Sequence, residues 1–233
     1  MISVIIPVYN QADKITTTLD SLIKQSYQDL EIIIVNDGSR DGLDLVLENY
    51  FKTIETKIGF MVLHQANGGA PAARNAGFKK SRGEYLFFCD ADAVLDYQAL
   101  EIMLASLNTH PEVSYVFSSF YWGKKLFRLE EFSESKLKQM PYIHTMSLIR
   151  RSNFPATGWD ESIKKLQDWD LWLTMLEAGH RGLWIDQILF KVTPGGHISS
   201  WLPAAAYSLF PFLPQVQKYN AALKIVKTKH HLL

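Results

Sequence analysis

The sequence predicts an α/β fold: a mostly parallel, Rossmann-like sheet with helices on both faces and an irregular C-terminal part. Short runs of β-branched and aromatic residues alternate with segments of helical periodicity, which is typical of βαβ units. The runs are mostly apolar, as expected for strands that are covered on both faces. The 233 residues are 47% hydrophobic and 21% charged, the composition of an ordinary globular chain.

Each expected element follows from a local pattern. Strands are predicted where an apolar run ends at a turn signal, and helices where apolar residues recur every three or four positions. In chain order, we expect a strand at 2–6, a helix at 12–25, a strand at 31–35, a helix at 43–50, a strand at 59–63, a helix at 70–80, a strand at 84–89, a helix at 100–107 and a strand at 113–117.

The alternation weakens after residue 118. Residues 121–140 are charged and aromatic, and they predict an irregular insertion of loop and helix. A strand is expected at 142–149, a helix at 169–177 and a short strand at 182–186. The weak pattern favours one domain with an irregular C-terminal part over two independent domains.

The composition excludes several classes of protein. Lysine plus arginine equals aspartate plus glutamate, 24 each, so no net field points to nucleic acid. The single cysteine, Cys89, excludes an internal disulfide and a cysteine-based zinc cluster. We recognise neither a leader nor an apolar stretch of spanning length, so we expect a soluble, cytoplasmic protein.

Two carboxylates, Asp90 and Asp92, follow the fourth predicted strand one residue apart. In extended backbone, side chains two positions apart point the same way, and crowded carboxylates repel each other unless a cation joins them. Mg²⁺ is usually held by one or two carboxylates together with phosphate oxygens and water. Two interpretations stay open for the pair alone, a metal site or a cap on the following helix.

Polar residues also follow the other strands of the first half. In open parallel sheets, ligands bind beyond the carboxyl ends of the strands, so these segments should share one edge. This convergence favours a binding site over simple capping. Neither a Gly-x-Gly-x-x-Gly motif nor a P-loop is present, which argues against both of those nucleotide sites. The segments are 7–10, 36–39, 64–67 and 90–92.

An ordered set of motifs resembles that of the family-two glycosyltransferases, inverting enzymes of the GT-A fold. The motifs are Ser-Val-Ile-Ile-Pro-Val-Tyr-Asn at 3–10, Ile-Val-Asn-Asp-Gly-Ser at 34–39, Asn-Gly-Gly at 67–69, Ala-Arg-Asn-Ala-Gly at 73–77, Gly-Glu-Tyr at 83–85 and Asp-Ala-Asp at 90–92. The resemblance extends over about residues 2–200. It implies a GT-A domain at 1–200, with a nucleotide-binding half at 1–117, an acceptor-side half at 118–200 and a tail at 201–233.

The resemblance also implies which residues bind the donor. Asp37 matches the acid that accepts a hydrogen bond from uracil or another base, although Asn36 stands where the family commonly has a second Asp. Arg74 lies near a helix start, where it would reach the base, ribose or diphosphate. The implied nucleotide contacts are Pro7, Tyr9, Asn10, Asp37, Arg74, Asn75 and Asp90.

A divalent cation, Mn²⁺ or Mg²⁺, is implied by the same resemblance. Asp92 would coordinate it, and Asp90 would contact the ribose and the cation through water. His197, in a late loop between glycine and isoleucine, would complete the coordination or touch the diphosphate. Its simpler interpretation is an exposed loop histidine.

The catalytic base is expected in Gln-Asp-Trp-Asp-Leu-Trp-Leu at 167–173, which matches the acidic pair that opens a late helix in the family. Helical spacing places Asp168 on the apolar stripe and Asp170 on the polar side. A desolvated Asp168 would have a raised pKa that suits a base, and the alternative role is a helix cap. Gln167 replaces the usual Glu, and Thr174 stands where the family often has Arg.

The expected activity is inverting transfer of a sugar from a nucleotide-diphosphate sugar, with UDP preferred, to a hydroxyl acceptor in surface polysaccharide or glycolipid synthesis. A rival is a non-catalytic nucleotide-sugar-binding module within a larger assembly. A nucleotidyltransferase is disfavoured, because residues 7–13 contain no glycine. The tail is apolar and proline-broken and then basic, so it either packs on the body or a second copy, or lies on the inner membrane face beside a lipid-linked acceptor.

Overall fold

The computed structural model of the protein describes residues 1–194 and 212–232. Within this part of the chain, nine strands form one sheet, and helices pack against it. The strands are β1 (Ile2–Val8), β2 (Leu30–Asn36), β3 (Gly59–His64), β4 (Tyr85–Phe88), β5 (Ala93–Leu95), β6 (Tyr115–Trp122), β7 (Lys125–Phe127), β8 (Leu148–Arg150) and β9 (Gly182–Val192). The helices are α1 (Ile15–Ile23), α2 (Leu43–Thr53), α3 (Ala70–Lys80), α4 (Ala99–Thr109), α5 (Glu134–Gln139), α6 (Gln167–Glu177) and α7 (Pro214–Lys229), with a short 3-10 helix at Arg151–Asn153.

The sheet is mixed but mostly parallel. Its order is β3-β2-β1-β4-β8-β6-β9-β5, and β7 pairs with β6 beside this path. Strands β1 to β4 are parallel to one another. Strand β8 is antiparallel to both β4 and β6, so β4 and β6 run in the same direction. Strand β9 is parallel to β6, and β5 is antiparallel to β9. The carboxyl ends of β1, β2, β3 and β4 therefore meet at one edge, as predicted.

Both faces of the central strands are buried, which explains why these runs are mostly apolar. Successive side chains of β1 point to opposite faces of the sheet. Ile2 and Ile6 join a core that α1, α2 and α4 cover, while Ile5 joins a second core with α5 and α6. Helix α3 lies close to β1, since a Cβ on Gly77 would come within 2.4 Å of Ile5 Cγ2.

The main differences from the expected elements lie after the carboxylate pair. Strand β5 begins directly behind Asp92 and was not expected. Strand β9 continues to Val192, beyond the expected end at residue 186. The two differences have one cause, because β5 pairs with the end of β9, with Ala93 opposite Val192. Of the strand expected at 142–149, only the last two residues lie in the sheet, as the start of β8 (Leu148–Arg150).

The insertion expected at 121–140 contains the end of β6, strand β7 and helix α5. Near the end of the chain, α7 packs on the second core through Val226, which is fully buried. Among the described residues, no helix is both long enough and apolar enough to cross a bilayer. The apolar part of the tail at 201–211 lies outside the described residues.

Candidate active site

The carboxylate of Asp37 joins the loops that follow β2 and β3. Its Oδ1 accepts hydrogen bonds from Gln65 Nε2 at 2.7 Å and from the backbone N–H of Gly68 at 2.9 Å. Its Oδ2 accepts the backbone N–H of Gly69, also at 2.9 Å. The backbone N–H of Asp37 donates to the carbonyl of Val8, which ties this turn to the end of β1. Asp37 therefore shapes the loop that begins α3.

The loop after β1 lies against the turn that follows Asp37. Pro7 is still part of β1, and Tyr9 is partly exposed beyond it. Asn10 adopts a positive φ of 50°. Its backbone N–H donates to Ser39 Oγ at 3.0 Å, and its Oδ1 accepts the N–H of Arg40 at 2.8 Å. The structure thus brings the expected nucleoside loop beside Asp37.

Asn75, from the same helix as Arg74, is fixed to the loop before α6. Its Nδ2 donates to the carbonyl of Trp159 at 2.9 Å and to Glu161 Oε1 at 2.8 Å. Its Oδ1 accepts the N–H of Trp159 at 2.8 Å. Gly158 has a φ of 73°, and a Cβ there would lie 2.3 Å from Asn75 Oδ1. The polar atoms of Asn75 are thus engaged in holding this loop.

Arg74 connects Asp90 with the first residue of α6. Its Nη2 lies 3.3 Å from Asp90 Oδ1, and its Nη1 donates to Gln167 Oε1 at 3.1 Å. The guanidinium also stacks over the ring of Trp159, 4.6 Å from the centroid. Burial lowers the pKa of Arg74, while Asp90 and Asp168 act in the opposite direction. Arg74, the expected donor contact, is thus a buried arginine that links the end of β4 to the start of α6.

Asp92 carries the most strongly perturbed carboxylate beside the strand ends. Burial and the neighbouring Asp90 raise the pKa of Asp92 to about 6, although Lys14 and Gln11 favour its ionised form. Asp92 and Lys14 line a pocket of about 290 Å³, together with Thr18. A carboxylate whose charge is disfavoured by burial and by a second carboxylate suits a hard divalent cation, which prefers oxygen ligands.

A metal site built from protein side chains alone is not present in the part of the chain that the structure describes. No group of three or more His, Cys, Asp or Glu side chains in residues 1–194 and 212–232 is arranged to hold an ion. His197, the expected further ligand, lies outside the described residues.

Asp168 lies in the first turn of α6, at the edge of the same cluster. Burial raises the pKa of Asp168, and His144, the Trp169 N–H and Arg74 act against that shift. Its Oδ1 accepts the N–H of Trp169 at 2.9 Å. The helix begins at Gln167 after Leu166, so the alternative role of Asp168 as the N-terminal cap does not hold.

Asp170 has polar neighbours, as expected for the polar side of α6, but that side is buried rather than open to solvent. Its side chain is buried, 3% exposed, because α7 covers that face of the helix. Lys229 Nζ lies 2.9 Å from Asp170 Oδ2, and His230 Nε2 lies 2.9 Å from Asp170 Oδ1. Asp170 is therefore taken up by the C-terminal segment, and Asp168 is the carboxylate beside Arg74.

His144 belongs to the cluster, and no sequence pattern pointed to it beyond its place in an expected strand. Its Nε2 lies 3.7 Å from Asp90 Oδ2. Burial lowers the pKa of His144, with Arg74 adding to that effect and Asp90 and Asp168 opposing it. The cluster thus contains Arg74, Asp90, His144 and Asp168, contributed by α3, the end of β4, the segment before β8 and α6.

Comparison with known sequences gives consistent matches. The profile described as "Glycosyl transferase family 2" matches residues 3–158. Over 92 residues, 40% of the chain, the sequence is 45% identical to the "Uncharacterized glycosyltransferase EpsJ" of Bacillus subtilis (strain 168). Over 195 residues, 77% of the chain, it is 28% identical to the chondroitin synthase of Pasteurella multocida (strain Pm70). The chain covers only 26% of the first relative and 19% of the second.

Comparison with solved structures supports the same fold. The S. aureus TarS 1-349 complex with UDP-GlcNAc superposes with a TM-score of 0.75 at 20% identity, over 97% of this chain and 65% of that chain. The mannosyltransferase PcManGT from Pyrobaculum calidifontis, solved with GDP-Man and Mn²⁺, gives a TM-score of 0.69 at 18% identity, over 99% of this chain and 69% of that one. At these identities the likeness concerns the fold.

Proposed function

The chain belongs to glycosyl transferase family 2 and has the GT-A fold, and from that premise we propose that it transfers a sugar, with inversion, from a nucleotide-diphosphate sugar to a hydroxyl acceptor. One observation carries the proposal. Asp168 lies in one partly buried polar cluster with Arg74 and Asp90, although the three side chains come from separate elements. A candidate base and a candidate donor-binding carboxylate are thus neighbours.

The donor would lie along the carboxyl ends of β1, β2 and β4. Tyr9 and Asn10 line this edge with Pro7, and Asp37 lies next to them. We propose UDP as the preferred nucleotide, supported by the neighbour solved with UDP-GlcNAc. The neighbour solved with GDP-Man makes GDP the alternative. Asn75 would contribute to donor binding indirectly, because it holds the loop before α6 in place.

A divalent cation, Mn²⁺ or Mg²⁺, would be held by Asp92 and Asp90, with His197 as the proposed third protein group. When bound, such a cation stabilises the negative charge that develops on a leaving diphosphate. Asp92 is suited to this role because burial and the neighbouring Asp90 both disfavour its ionised form, and a bound cation would compensate that charge. The neighbour solved with Mn²⁺ supports a metal-dependent reaction.

Asp168 would remove the proton of the acceptor hydroxyl. Inversion requires one displacement at the anomeric carbon, with a base on the acceptor side. Burial raises the pKa of Asp168, which makes it a stronger base than an exposed aspartate. The neighbouring guanidinium of Arg74 favours its ionised form, so the carboxylate is available to accept a proton.

The acceptor would be a sugar or a lipid-linked sugar in polysaccharide or glycolipid synthesis, and the chondroitin synthase among the relatives supports the first. We also propose that residues 1–117 form a nucleotide-binding half and residues 118–200 an acceptor-side half. A cytoplasmic location at the inner membrane face would suit a lipid-linked acceptor. The tail at 201–233 would contact the membrane, the body or a second copy of the chain.

The base assignment is tested with Asp168→Asn. The purified protein is incubated with UDP-sugars and GDP-sugars, Mn²⁺ and a panel of saccharide acceptors, and transfer and donor hydrolysis are measured. We expect Asp168→Asn to lower kcat by about 100-fold or more, the usual loss for a general base, and to leave the nucleotide Kd nearly unchanged. Normal turnover by this variant would overturn the assignment.

Asp170→Asn is the matched control, because the residue lies in the same helix turn but contacts Lys229 and His230. We expect this variant to lose stability and to keep its turnover per folded molecule at low temperature.

The second candidate function is a non-catalytic nucleotide-sugar-binding module. It is favoured by Gln167, where a neutral amide rather than a carboxylate contacts Arg74 at the start of α6. Metal-dependent nucleotide binding without transfer or hydrolysis, for every donor and acceptor tested, would support this module over the enzyme.

A further inference from the structure

The imidazole of His144 lies within the carboxylate cluster. Its Nε2 is 3.7 Å from Asp90 Oδ2, and both Asp90 and Asp168 interact electrostatically with the ring. The side chain is only 16% exposed. The reaction proposed above assigns His144 no role, and a buried imidazole at such a position needs a physical explanation.

The backbone decides which nitrogen of His144 carries the proton. The N–H of Met146 donates to Nδ1 at 3.1 Å. A nitrogen that accepts a hydrogen bond has no proton of its own, so the neutral ring carries its proton on Nε2. The carbonyl of His144 accepts the hydroxyl of Ser147 at 2.8 Å, which fixes the same turn. Nε2–H is therefore a donor on the side of Asp90.

Two aromatic rings hold the imidazole in place. Phe120 of β6 lies 4.7 Å from the ring of His144 between centroids, and Phe190 of β9 lies 5.3 Å from it. Phe120 and Phe190 are opposite each other in the sheet and stack at 5.0 Å. The orientation of His144 is thus set by strands that do not contribute carboxylates to the cluster.

We propose that His144 is a positioning residue that, together with Arg74, grips the carboxylate of Asp90 and holds it in the orientation that binds the nucleotide donor with its cation. Arg74 Nη2 contacts Oδ1 of Asp90, and His144 Nε2 faces Oδ2. Each carboxylate oxygen thus faces a different side chain that can donate, Arg74 from α3 and His144 from the segment before β8. The proposal rests on the donor site of the proposed function.

The contact of 3.7 Å between His144 Nε2 and Asp90 Oδ2 is longer than a hydrogen bond, and contacts in ligand-free sites often shorten when the ligand binds. Groups that orient a metal-binding or substrate-binding carboxylate typically contribute about 10-fold to 100-fold in affinity or activity. We therefore expect a loss at the low end of that range when the donor on Nε2 is removed.

The test compares His144→Phe with His144→Gln. Phenylalanine keeps a flat ring against the stacked pair of Phe120 and Phe190 but has no donor, while glutamine carries an amide N–H that can reach toward the position of Nε2. The Kd of UDP with Mn²⁺ is measured by titration calorimetry, and GDP replaces UDP where only GDP binds. We expect about 10-fold weaker binding for His144→Phe and recovery of most of that loss in His144→Gln.

A double-mutant cycle identifies the partner of His144. In an Asp90→Asn background, we expect His144→Phe to cost less than about 2-fold, because the gripped carboxylate is absent. In an Asp168→Asn background, we expect the full loss to persist. The proposal would be overturned if His144→Phe weakened nucleotide binding as much in the Asp90→Asn background as in the wild type. It would also be overturned if the loss disappeared only in the Asp168→Asn background.

A measurement without nucleotide separates this inference from the proposed function. In ¹⁵N-histidine spectra, wild-type His144 should show a proton on Nε2, and the Nε2 resonance should move in Asp90→Asn. A proton on Nδ1, or an unchanged resonance in Asp90→Asn, would overturn the proposal even where no nucleotide binds. If the spectra behave as expected but neither UDP nor GDP binds with Mn²⁺, the proposed donor site fails and the contact to Asp90 stands. The spectra use only the wild type and Asp90→Asn, so the test does not depend on the folding of His144→Phe.

Discussion

At the level of single residues, Asp37 illustrates how one carboxylate serves the architecture of the site. Both of its oxygens accept hydrogen bonds from the loop that leads into α3. The side chain is almost fully buried. A buried acceptor bonded to backbone N–H groups is costly to alter, because each unpaired group loses its solvation without compensation.

We predict that Asp37→Asn destabilises the fold as well as weakening donor binding. The new amide nitrogen would face an N–H group at one of the two oxygen positions, so at least one backbone donor is left unpaired. The free energy of unfolding should fall by about 1–3 kcal/mol, as measured by urea denaturation. Asp186→Asn is the control, since the pair with Arg128 is exposed and should contribute little. Equal stability of the Asp37 variant and wild type would contradict this account.

Asp168 and Asp170 show what a local sequence pattern can predict and what it cannot. The spacing that separates Asp168 from Asp170 correctly indicated which carboxylate lies toward the cluster, because both belong to one helix. It gave the wrong environment for Asp170, because the covering residues, Lys229 and His230, come from about sixty positions further along the chain. His144 is similar, since its partners Asp90, Phe120 and Phe190 are all distant in sequence.

At the level of elements, α3 illustrates how close packing fixes the site. The helix approaches β1 at Gly77, where a Cβ would lie 2.4 Å from Ile5 Cγ2 and 3.3 Å from Val35 Cγ2. The same helix carries Arg74 and Asn75. Its distance from the sheet therefore sets the position of two site residues.

We predict that Gly77→Ala forces α3 away from β1 and lowers stability by about 1–3 kcal/mol, the usual cost of overpacking. The displacement should also weaken nucleotide binding, because Arg74 moves with the helix. Gly59→Ala is the matched control, since no atom lies within 4 Å of a Cβ there. Urea denaturation of both variants checks the prediction, and a Gly77 variant as stable as the Gly59 variant would contradict it.

The contact between α6 and the C-terminal segment is a second feature at this level. His230 Nε2 bonds to Asp170, and His230 Nδ1 bonds to Glu177 Oε1 at 2.8 Å. Lys229 Nζ bonds to Asp170 and to Asp160. Burial lowers the pKa of His230, but the two carboxylates outweigh it and the net direction is upward. The segment thus fastens the helix that carries Asp168.

We predict that this contact makes stability depend on pH. Because the folded pKa of His230 is raised above its unfolded value of about 6.5, its contribution is complete below that value and is lost as the pH rises through the folded pKa. His230→Ala should cost about 2 kcal/mol at pH 6, and the difference from wild type should shrink at pH 8.5. Urea denaturation at both pH values measures this. His231→Asn, at an exposed neighbour, should show no such trend, and a pH-independent cost for His230→Ala would refute the linkage.

At the level of the whole molecule, the site draws on both halves of the chain. The proposed nucleotide-binding edge comes from β1, β2 and β4, while Asp168 and His144 come from segments beyond residue 118. Strand β8 joins the halves, since it pairs with β4 on one side and β6 on the other. The chain spans between 19% and 59% of the length of curated relatives that it matches, so the activity and partners of the whole protein are part of the proposed function.

We predict that nucleotide binding stabilises the whole chain in a metal-dependent manner. At a ligand concentration about 100 times Kd, binding adds about 2.7 kcal/mol, which raises Tm by several degrees. A panel of UDP, GDP and their sugars, with and without Mn²⁺, identifies the base by the largest shift. Asp92→Asn should remove the Mn²⁺ dependence. No shift with any nucleotide would contradict the proposed donor site.

The sequence by itself determined the α/β class, the first four strands, the helices between them and the polar edge where those strands end. It could do so because strand and helix periodicities are local, and because parallel strands place their carboxyl ends together. Only the tertiary structure decided the pairing of β5 with β9, the burial of Asp170 under the C-terminal segment, and the place of His144 beside Asp90. These features depend on contacts between residues far apart in the chain, and no local pattern records which distant segments will meet.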